Sequence, residues 1–161
     1  MSTLSILTFL AILGSGLMAG LFFAFSVAVM QALAKLPTEK GMAAMQSINV
    51  VILNPWFLTV FMGTALLCMG LGVYAFLQWT TPGAGWLLAG AGLYLTGCIL
   101  VTMAFNVPLN DALAAADATS TGGAKLWQTY LVTWTNWNHV RTIACLASTA
   151  ALVVSMVKLS R

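Results

Sequence analysis

One short stretch near the start of the last apolar run gathers the side chains best suited to chemistry. His139 is the single histidine of the chain, and imidazole is the side chain that most readily acts as a general base near neutral pH. Arg141 and Asn138 can donate hydrogen bonds to an oxyanion, and Trp134 and Trp137 offer flat apolar surfaces. These residue types favour a pocket that binds a flat aromatic molecule and holds a negative charge on it.

Helical periodicity divides this stretch into two faces. In one continuous helix, steps of three and four residues place five large side chains on the same face as Asn138, and His139 points almost the opposite way. The five are Trp127, Tyr130, Trp134, Trp137 and Arg141. His139 is therefore either a base or an ordinary packing residue. Arg141 is either a functional cation close to hydrocarbon or an interfacial anchor.

The composition identifies the surroundings of the protein. Of its 161 residues, 61% are hydrophobic and 6% are charged, whereas about a quarter are charged in soluble domains. This indicates an integral membrane protein whose solvent is the lipid bilayer. The net charge of +3 comes from few ionisable groups and excludes nucleic acid as a partner. With a lone histidine and three cysteines scattered in apolar runs, we expect neither a metal nor another cofactor.

Four uncharged runs, separated by Pro and Gly breaks, predict the topology. The four predicted spans cover about residues 4–34, 54–79, 84–105 and 138–158, within one transmembrane domain of residues 1–161. The predicted fold class is all-α. It is an integral membrane four-helix bundle with two short extramembrane helices, near residues 42–49 and 108–118, on the side opposite the termini. We expect a multi-pass protein of a bacterial inner membrane.

This topology brings most of the polar side chains to one end of the bundle. The polar residues at that end are Gln46, Asn49, Asn106, Asn110 and Asp111, beside residues 138–141. We predict that the four amide residues bind the substrate together with Trp134 and Trp137, in a cup covered by the two short helices. Asn54 is instead interpreted as the N-cap of the second span, because Pro55 follows it.

Gly16 and Gly20 form a GxxxG motif in the first span. Such a motif allows a second helix to approach the backbone closely. Packing inside the bundle is the first interpretation, and a homo-oligomer formed through Gly16 and Gly20 is the alternative.

Three segments resemble the family of small four-span membrane proteins grouped with the fungal anthrone oxygenases. They are Met45–Asn49 after a glycine-rich first span and a proline, Asn106–Asn110 after the third span, and Trp134–Arg141 at the start of the fourth. The resemblance extends over nearly the whole chain. It implies that O₂ oxidises an activated methylene of a lipophilic polycyclic phenol to give a quinone, without a bound metal or flavin.

The same resemblance implies roles for the residues of the last helix. His139 corresponds to the base, Arg141 and Asn138 to the partners of the oxyanion, and Trp134 and Trp137 to the walls of the pocket. A deprotonated phenol of this kind is electron-rich, so the protein needs to remove a proton, hold the anion and exclude water.

Two functions from different classes are consistent with the sequence. The first is an oxygenase that acts on a lipophilic aromatic molecule. The second is a non-catalytic membrane module that binds a lipid, a quinone or a partner protein through the same cup. A pocket reached by the charged and amide side chains favours the first function, and an open groove lined by Gly and Ala favours the second.

Overall fold

The computed structural model describes residues 2–159, which form five helices. They are α1 (Thr3–Ala34), α2 (Thr38–Val51), α3 (Pro55–Leu77), α4 (Ala84–Ala114) and α5 (Thr121–Leu159). Four of them, all except α2, are long and apolar enough to cross a membrane, and no strand occurs within the described residues. The predicted all-α membrane bundle is therefore confirmed, and the protein is a multi-pass integral membrane protein.

Local sequence signals set several helix boundaries. The side chain of Asn54 accepts a hydrogen bond of 3.1 Å from the backbone N–H of Phe57, so the predicted capping role of Asn54 is confirmed. Pro37 separates α1 from α2, since proline lacks the N–H that would continue α1. In the loop before α5, the backbone N–H and the hydroxyl of Thr119 donate to Asp117 and lower the pKa of its carboxyl.

Helix α4 does not end where the sequence predicts. The predicted third span ends near residue 105 and a separate short helix follows at about residues 108–118, but α4 is continuous to Ala114. Two π-helical turns, Tyr94–Leu100 and Thr102–Asn106, precede Pro108. The wider turns accommodate the proline, which has no N–H to donate and would clash with the carbonyl four residues earlier.

The core of the bundle has two parts. The first lies between the four spanning helices and contains Tyr94 and the three buried, free cysteines, Cys68, Cys98 and Cys145. The second lies between the end of α1, α2, the end of α4 and the first half of α5. Its buried members include Met42, Met45, Leu113, Trp127 and Tyr130. This second part attaches α2 firmly to the end of the bundle.

Side-chain hydrogen bonds to backbone carbonyls connect the elements at each end. The hydroxyl of Ser155 donates to the carbonyl of Gly83 (3.1 Å), which places the turn between α3 and α4 beside the end of α5. At the other end, Nε2 of Gln46 donates to the carbonyls of Leu113 (2.8 Å) and Ala116 (3.1 Å). Helix α2 and the end of α4 therefore lie on the side opposite the chain ends.

The two glycines of the GxxxG motif do not pack inside the bundle. A Cβ atom on Gly16 or Gly20 would meet no atom within 4 Å, whereas one on the nearby Gly14 would overlap the side chain of Thr64. The interpretation of Gly16 and Gly20 as intramolecular packing residues is therefore wrong, because they lie on the outward face of α1. Their role in a homo-oligomer stays a prediction.

Candidate ligand-binding site

A cavity of about 680 Å³ lies among the helices at the end of the bundle that α2 covers. This volume falls within the range of about 300–1,000 Å³ that is typical of small-molecule sites. Most of the lining is apolar and comes from all five helices. The polar side chains in the lining are Gln46, Asn49, Thr102, Asn110, Asp111 and Arg141, and the indole of Trp134 lies beside them.

Arg141 contributes a buried cation to the cavity wall. Its side chain is 5% exposed. Nη2 donates to Oδ1 of Asn138 (2.7 Å) and Nη1 donates to the hydroxyl of Thr102 (3.2 Å). The guanidinium carbon lies 4.2 Å from the centre of the Phe22 ring and 5.1 Å from that of Trp134. The aromatic faces stabilise the cation electrostatically, but they do not neutralise it.

The guanidinium has donors left for a ligand. A guanidinium carries five N–H groups, and the structure shows hydrogen bonds from Nη1 and Nη2, while the buried Nε has no partner. Within residues 2–159, Arg141 forms no ion pair with a carboxylate. An unpaired buried charge is costly, by several kcal/mol per ion, so this position fits a site that an anion completes.

Asn138 accepts a hydrogen bond from the guanidinium on the side away from the cavity. It is fully buried, and its Nδ2 donates to the carbonyl of Phe22 (2.7 Å) and to the hydroxyl of Ser26 (2.8 Å). Because a backbone carbonyl only accepts, these bonds fix the orientation of the amide and direct Oδ1 towards Arg141. Asn138 therefore positions the cation and does not itself line the cavity.

A second polar group, centred on Asn110, lies in the same wall. Its Oδ1 accepts hydrogen bonds from the hydroxyl of Tyr130 (2.8 Å) and from Nε1 of Trp134 (2.9 Å). Since an indole N–H can only donate, the amide has one orientation, and its Nδ2 is left available to the cavity. Nδ2 of Asn49 donates to the hydroxyl of Tyr130 at 3.4 Å and completes the network.

The irregular turns of α1 and α4 shape this part of the cavity. Phe25 begins the π-helical turn Phe25–Val29, and Thr102 begins the turn Thr102–Asn106. Both residues line the cavity. A π turn rotates the residues after it relative to a regular helix, and such turns are frequent at functional sites. Asn106 closes the second turn, is buried, and donates to the carbonyl of Trp134 (3.3 Å).

Most of the predicted site residues come together, and two do not. Arg141, Trp134, Asn110, Asn49 and Gln46 line the cavity, with Asn138 and Asn106 directly behind the wall. The exceptions are on the outer faces of α5. His139 is exposed and does not line the cavity, and Trp137 stacks on Phe105 with the ring centres 3.6 Å apart. The structure thus gives His139 no geometry for a base acting in this cavity.

The structure also adds two residues that the sequence did not indicate as part of the site, Thr102 and Phe22, which contact Arg141 from other helices. The sequence already placed Asp111 at this end of the bundle, and the structure brings its carboxylate into the lining. Thr102 and Phe22 lie in uncharged spans, where no pattern distinguishes them from neighbouring residues. Asp111 had a signal, because it directly follows Asn110 in one of the predicted substrate-binding segments.

The described residues contain no group of three His, Cys, Asp or Glu side chains arranged to hold a metal ion. The polar lining is made of amides, a hydroxyl, a carboxylate and a guanidinium. This donor set suits an oxygen-bearing organic anion, since the guanidinium and the free amide N–H groups are hydrogen-bond donors.

Comparison with known families adds a finding that is independent of this geometry. The family model of the anthrone oxygenases matches residues 56–151, which is more than half of the chain. The match includes α3, α4 and most of α5, and with them Thr102, Asn110, Trp134, Asn138 and Arg141. No curated protein and no solved structure matches the chain.

Proposed function

Since this chain belongs to the anthrone oxygenase family, we propose that it is a membrane-embedded oxygenase that oxidises a lipophilic phenolic polycycle with O₂. The proposed reaction converts an activated methylene of the substrate to a carbonyl and releases water, so that one O₂ supplies one oxygen atom to each product. The proposal needs no resident metal or flavin. We also expect the membrane to be a bacterial inner membrane.

The buried, unpaired Arg141 is the observation that carries this proposal. A phenolate oxygen at the guanidinium would supply the counter-charge that the described residues do not provide. The cation would favour the ionised phenol over the neutral one, and it would do so strongly because the surrounding wall is apolar. An electron-rich anion is the form that reacts with O₂, so anion binding is itself the catalytic contribution.

The geometry favours a residue other than His139 as the general base. His139 lies outside the cavity, whereas Asp111 is the carboxylate of the lining. We propose that the carboxylate of Asp111 accepts the proton of the substrate. Because Asp111 is also exposed, it can pass the proton on to water. In this scheme Arg141 lowers the pKa of the bound phenol, which makes its proton easier for the carboxylate to remove.

The lining favours binding of a small molecule over helix assembly. An assembly groove needs small residues that let backbones approach, but among the described residues the cavity is lined by one alanine, Ala114, and by no glycine. Large apolar side chains dominate instead, including Phe25, Phe57 and Phe61. Such a surface fits the faces of fused aromatic rings.

The decisive experiment measures O₂ consumption by purified protein in nanodiscs with a panel of hydroxyanthrones and hydroquinones. With the hydroxyanthrones we expect one O₂ consumed for each quinone formed, and with ¹⁸O₂ we expect one labelled oxygen in the new carbonyl. A hydroquinone has no methylene to oxygenate, so its quinone should carry no label. Buffer alone and the variant Arg141→Met are the controls, because anthrones also oxidise spontaneously. Turnover no faster than in these controls would reject an oxygenase. Tight binding without turnover would favour the non-catalytic module.

The role of Asp111 has its own matched pair of variants. We expect Asp111→Asn to keep the wild-type Kd and to lower kcat about a hundredfold, as is usual when a general base is lost. Asp117→Asn changes a carboxylate in the exposed loop before α5 and should leave kcat unchanged. Equal kcat values for the two variants would remove Asp111 from the mechanism.

A further inference from the structure

The cavity has a side opening between α3 and α4. The two helices pack closely along residues 84–100 of α4 and diverge beyond them. Leu53 and Met62 form one edge of the opening and Met103 forms the other, and all three both line the cavity and face outwards. They are between 48% and 63% exposed. At Leu53, Met62 and Met103 the edges of the opening are therefore apolar, and the exposed Asp111, which also lines the cavity, lies about two helical turns further along α4.

Exposed tryptophans locate this opening relative to the membrane. Trp56 is 85% exposed at the start of α3, and Trp79 is 61% exposed just after its end. Tryptophan is enriched at the two membrane interfaces. The 23 residues of α3 extend roughly 34 Å, close to the hydrocarbon thickness of about 30 Å. Trp56 and Trp79 thus mark the two interfaces.

Both edges of the opening lie between these interfaces. Met62 follows Trp56 by six residues, which is about 9 Å along the helix. Met103 follows the exposed Trp86 by 17 residues, or about 26 Å along α4. Trp86 marks the opposite interface, the one beside Trp79. Each position is inside a hydrocarbon layer of about 30 Å. The side opening therefore faces acyl chains and not water.

Helix α2 lies across the end of the cavity that is nearest to water. Its Met45 is buried against the rest of the protein, and its Gln46 fixes α2 to the carbonyls of Leu113 and Ala116. The last residues of α2, Val50 and Val51, are strongly exposed and apolar, so they extend the lipid-facing surface towards the opening.

We propose that the ligand enters and leaves the cavity through the side opening, directly from the hydrocarbon of the bilayer. The substrate is then a compound dissolved in the membrane, with the phenolic oxygen as its polar end, and not one taken up from water. This inference rests on the proposed function for the identity of the ligand. The position of the opening in the hydrocarbon does not depend on it.

A first test measures the surroundings of the opening without any substrate. A bimane fluorophore is attached to Met62→Cys or Met103→Cys in proteoliposomes, with the wild-type protein as the labelling background because its cysteines are buried. We expect quenching by lipids that carry a nitroxide on the acyl chain, and little quenching by aqueous iodide. Gln128→Cys, which is exposed in the first half of α5, is the water-facing control. Iodide quenching at residues 62 and 103 equal to that at residue 128 would overturn the proposal.

A second test measures the rate of entry. The double variant Met62→Trp/Met103→Trp narrows the opening, and Leu66→Trp/Leu100→Trp adds the same bulk to exposed positions of α3 and α4 that do not line the cavity. A membrane-partitioned hydroxyanthrone is mixed with protein in nanodiscs and association is followed by fluorescence. We expect the first double variant to associate about tenfold more slowly than the second, at the low end of the range for variants of one site.

The outcomes separate this inference from the proposed function. Equal association rates for the two double variants would overturn entry through the side opening. A sulfonated, water-soluble hydroxyanthrone that binds the wild type as fast as the lipophilic one would overturn it too. Failure of every anthrone to bind would instead count against the proposed function, and the quenching experiment would still decide where the opening lies.

Discussion

Replacing Arg141 with lysine tests whether the guanidinium holds an anion by its geometry or only by its charge. Lysine keeps the positive charge and the apolar stem but has a single nitrogen. That nitrogen directs its three N–H groups from a single point, so it cannot reach both of the places that Nη1 and Nη2 occupy. It should keep the 2.7 Å bond to Asn138, which is shorter than the bond to Thr102. We therefore expect Arg141→Lys to lose the bond to Thr102 and one of the two hydrogen bonds that a planar fork gives to a ligand oxygen.

The expected magnitudes follow from these contacts. A hydrogen bond to a charged group contributes about 1.5–3 kcal/mol, so the loss of one ligand bond should raise Kd about tenfold to a hundredfold. The fold should lose only the 3.2 Å bond to Thr102, or about 1 kcal/mol. This corresponds to a decrease of about 2–4 °C in Tm. The free energy of ligand binding should therefore change more than the free energy of unfolding.

Arg141→Met provides the complementary measurement. It removes the charge, so we expect anion binding to be lost. Tm should be equal to or higher than that of the wild type, because an uncompensated buried charge disappears. Lys125→Met removes the same charge from an exposed position of α5 and should change neither property. The assay is equilibrium binding of a hydroxyanthrone, together with thermal unfolding in detergent.

An Arg141→Lys protein with the wild-type Kd would show that the planar fork of Arg141 does not hold the ligand. A large loss of Tm in Arg141→Met would contradict the anion site at Arg141, because that result would make the cation part of the folding core and not an unpaired group that awaits a ligand.

Three further predictions concern other parts of the structure. Thr102→Asp should place a carboxylate beside Nη1 of Arg141, which should raise Tm and abolish anion binding. The neutral Thr102→Asn should keep most of the binding. Binding and unfolding assays on the two variants separate the effect of the added charge from that of the changed side-chain shape. His139→Gln should leave Kd and kcat unchanged, and a kcat reduced as strongly as in Asp111→Asn would restore His139 as the base. Gly83→Ala should lower the free energy of unfolding by about 1–3 kcal/mol, because Gly83 has a φ of +85° and its Cβ would lie 2.9 Å from the carbonyl oxygen of Ser155. Gly16→Ala, whose Cβ meets no atom within 4 Å, is the control in thermal unfolding. Equal Tm values for the two variants would contradict the strain at Gly83.

The match to the anthrone oxygenase family covers only part of the site. The matched region, residues 56–151, contains Arg141 and its contacts to Asn138 and Thr102, but it excludes α1 and α2. Helix α2 supplies Gln46 and Asn49, and α1 supplies the Phe22 ring that covers the cation. We therefore expect variants in the matched region to affect the reaction, and variants of Gln46 and Asn49 to affect which ligand binds.

The class of the protein and the composition of its site follow from the amino-acid sequence alone. The uncharged runs are long enough to span a bilayer. They should do so as helices, since a backbone in hydrocarbon must satisfy its own hydrogen bonds. The cap at Asn54 was also readable, because capping depends on neighbouring residues. The aromatic and polar face of α5 followed from its period, and both Trp134 and Arg141 lie on it.

Which of these side chains contact one another depends on how the helices pack. The period of α5 already placed His139 away from Arg141, but the position of the cavity on the Arg141 side depends on how α1, α2 and α4 pack. Thr102 reaches Arg141 through an irregular turn, and Phe22 reaches it from a helix more than a hundred residues away. No local pattern encodes such contacts, because they depend on the relative rotation of helices. The same rotation turned Gly16 and Gly20 outwards, which spacing alone cannot predict.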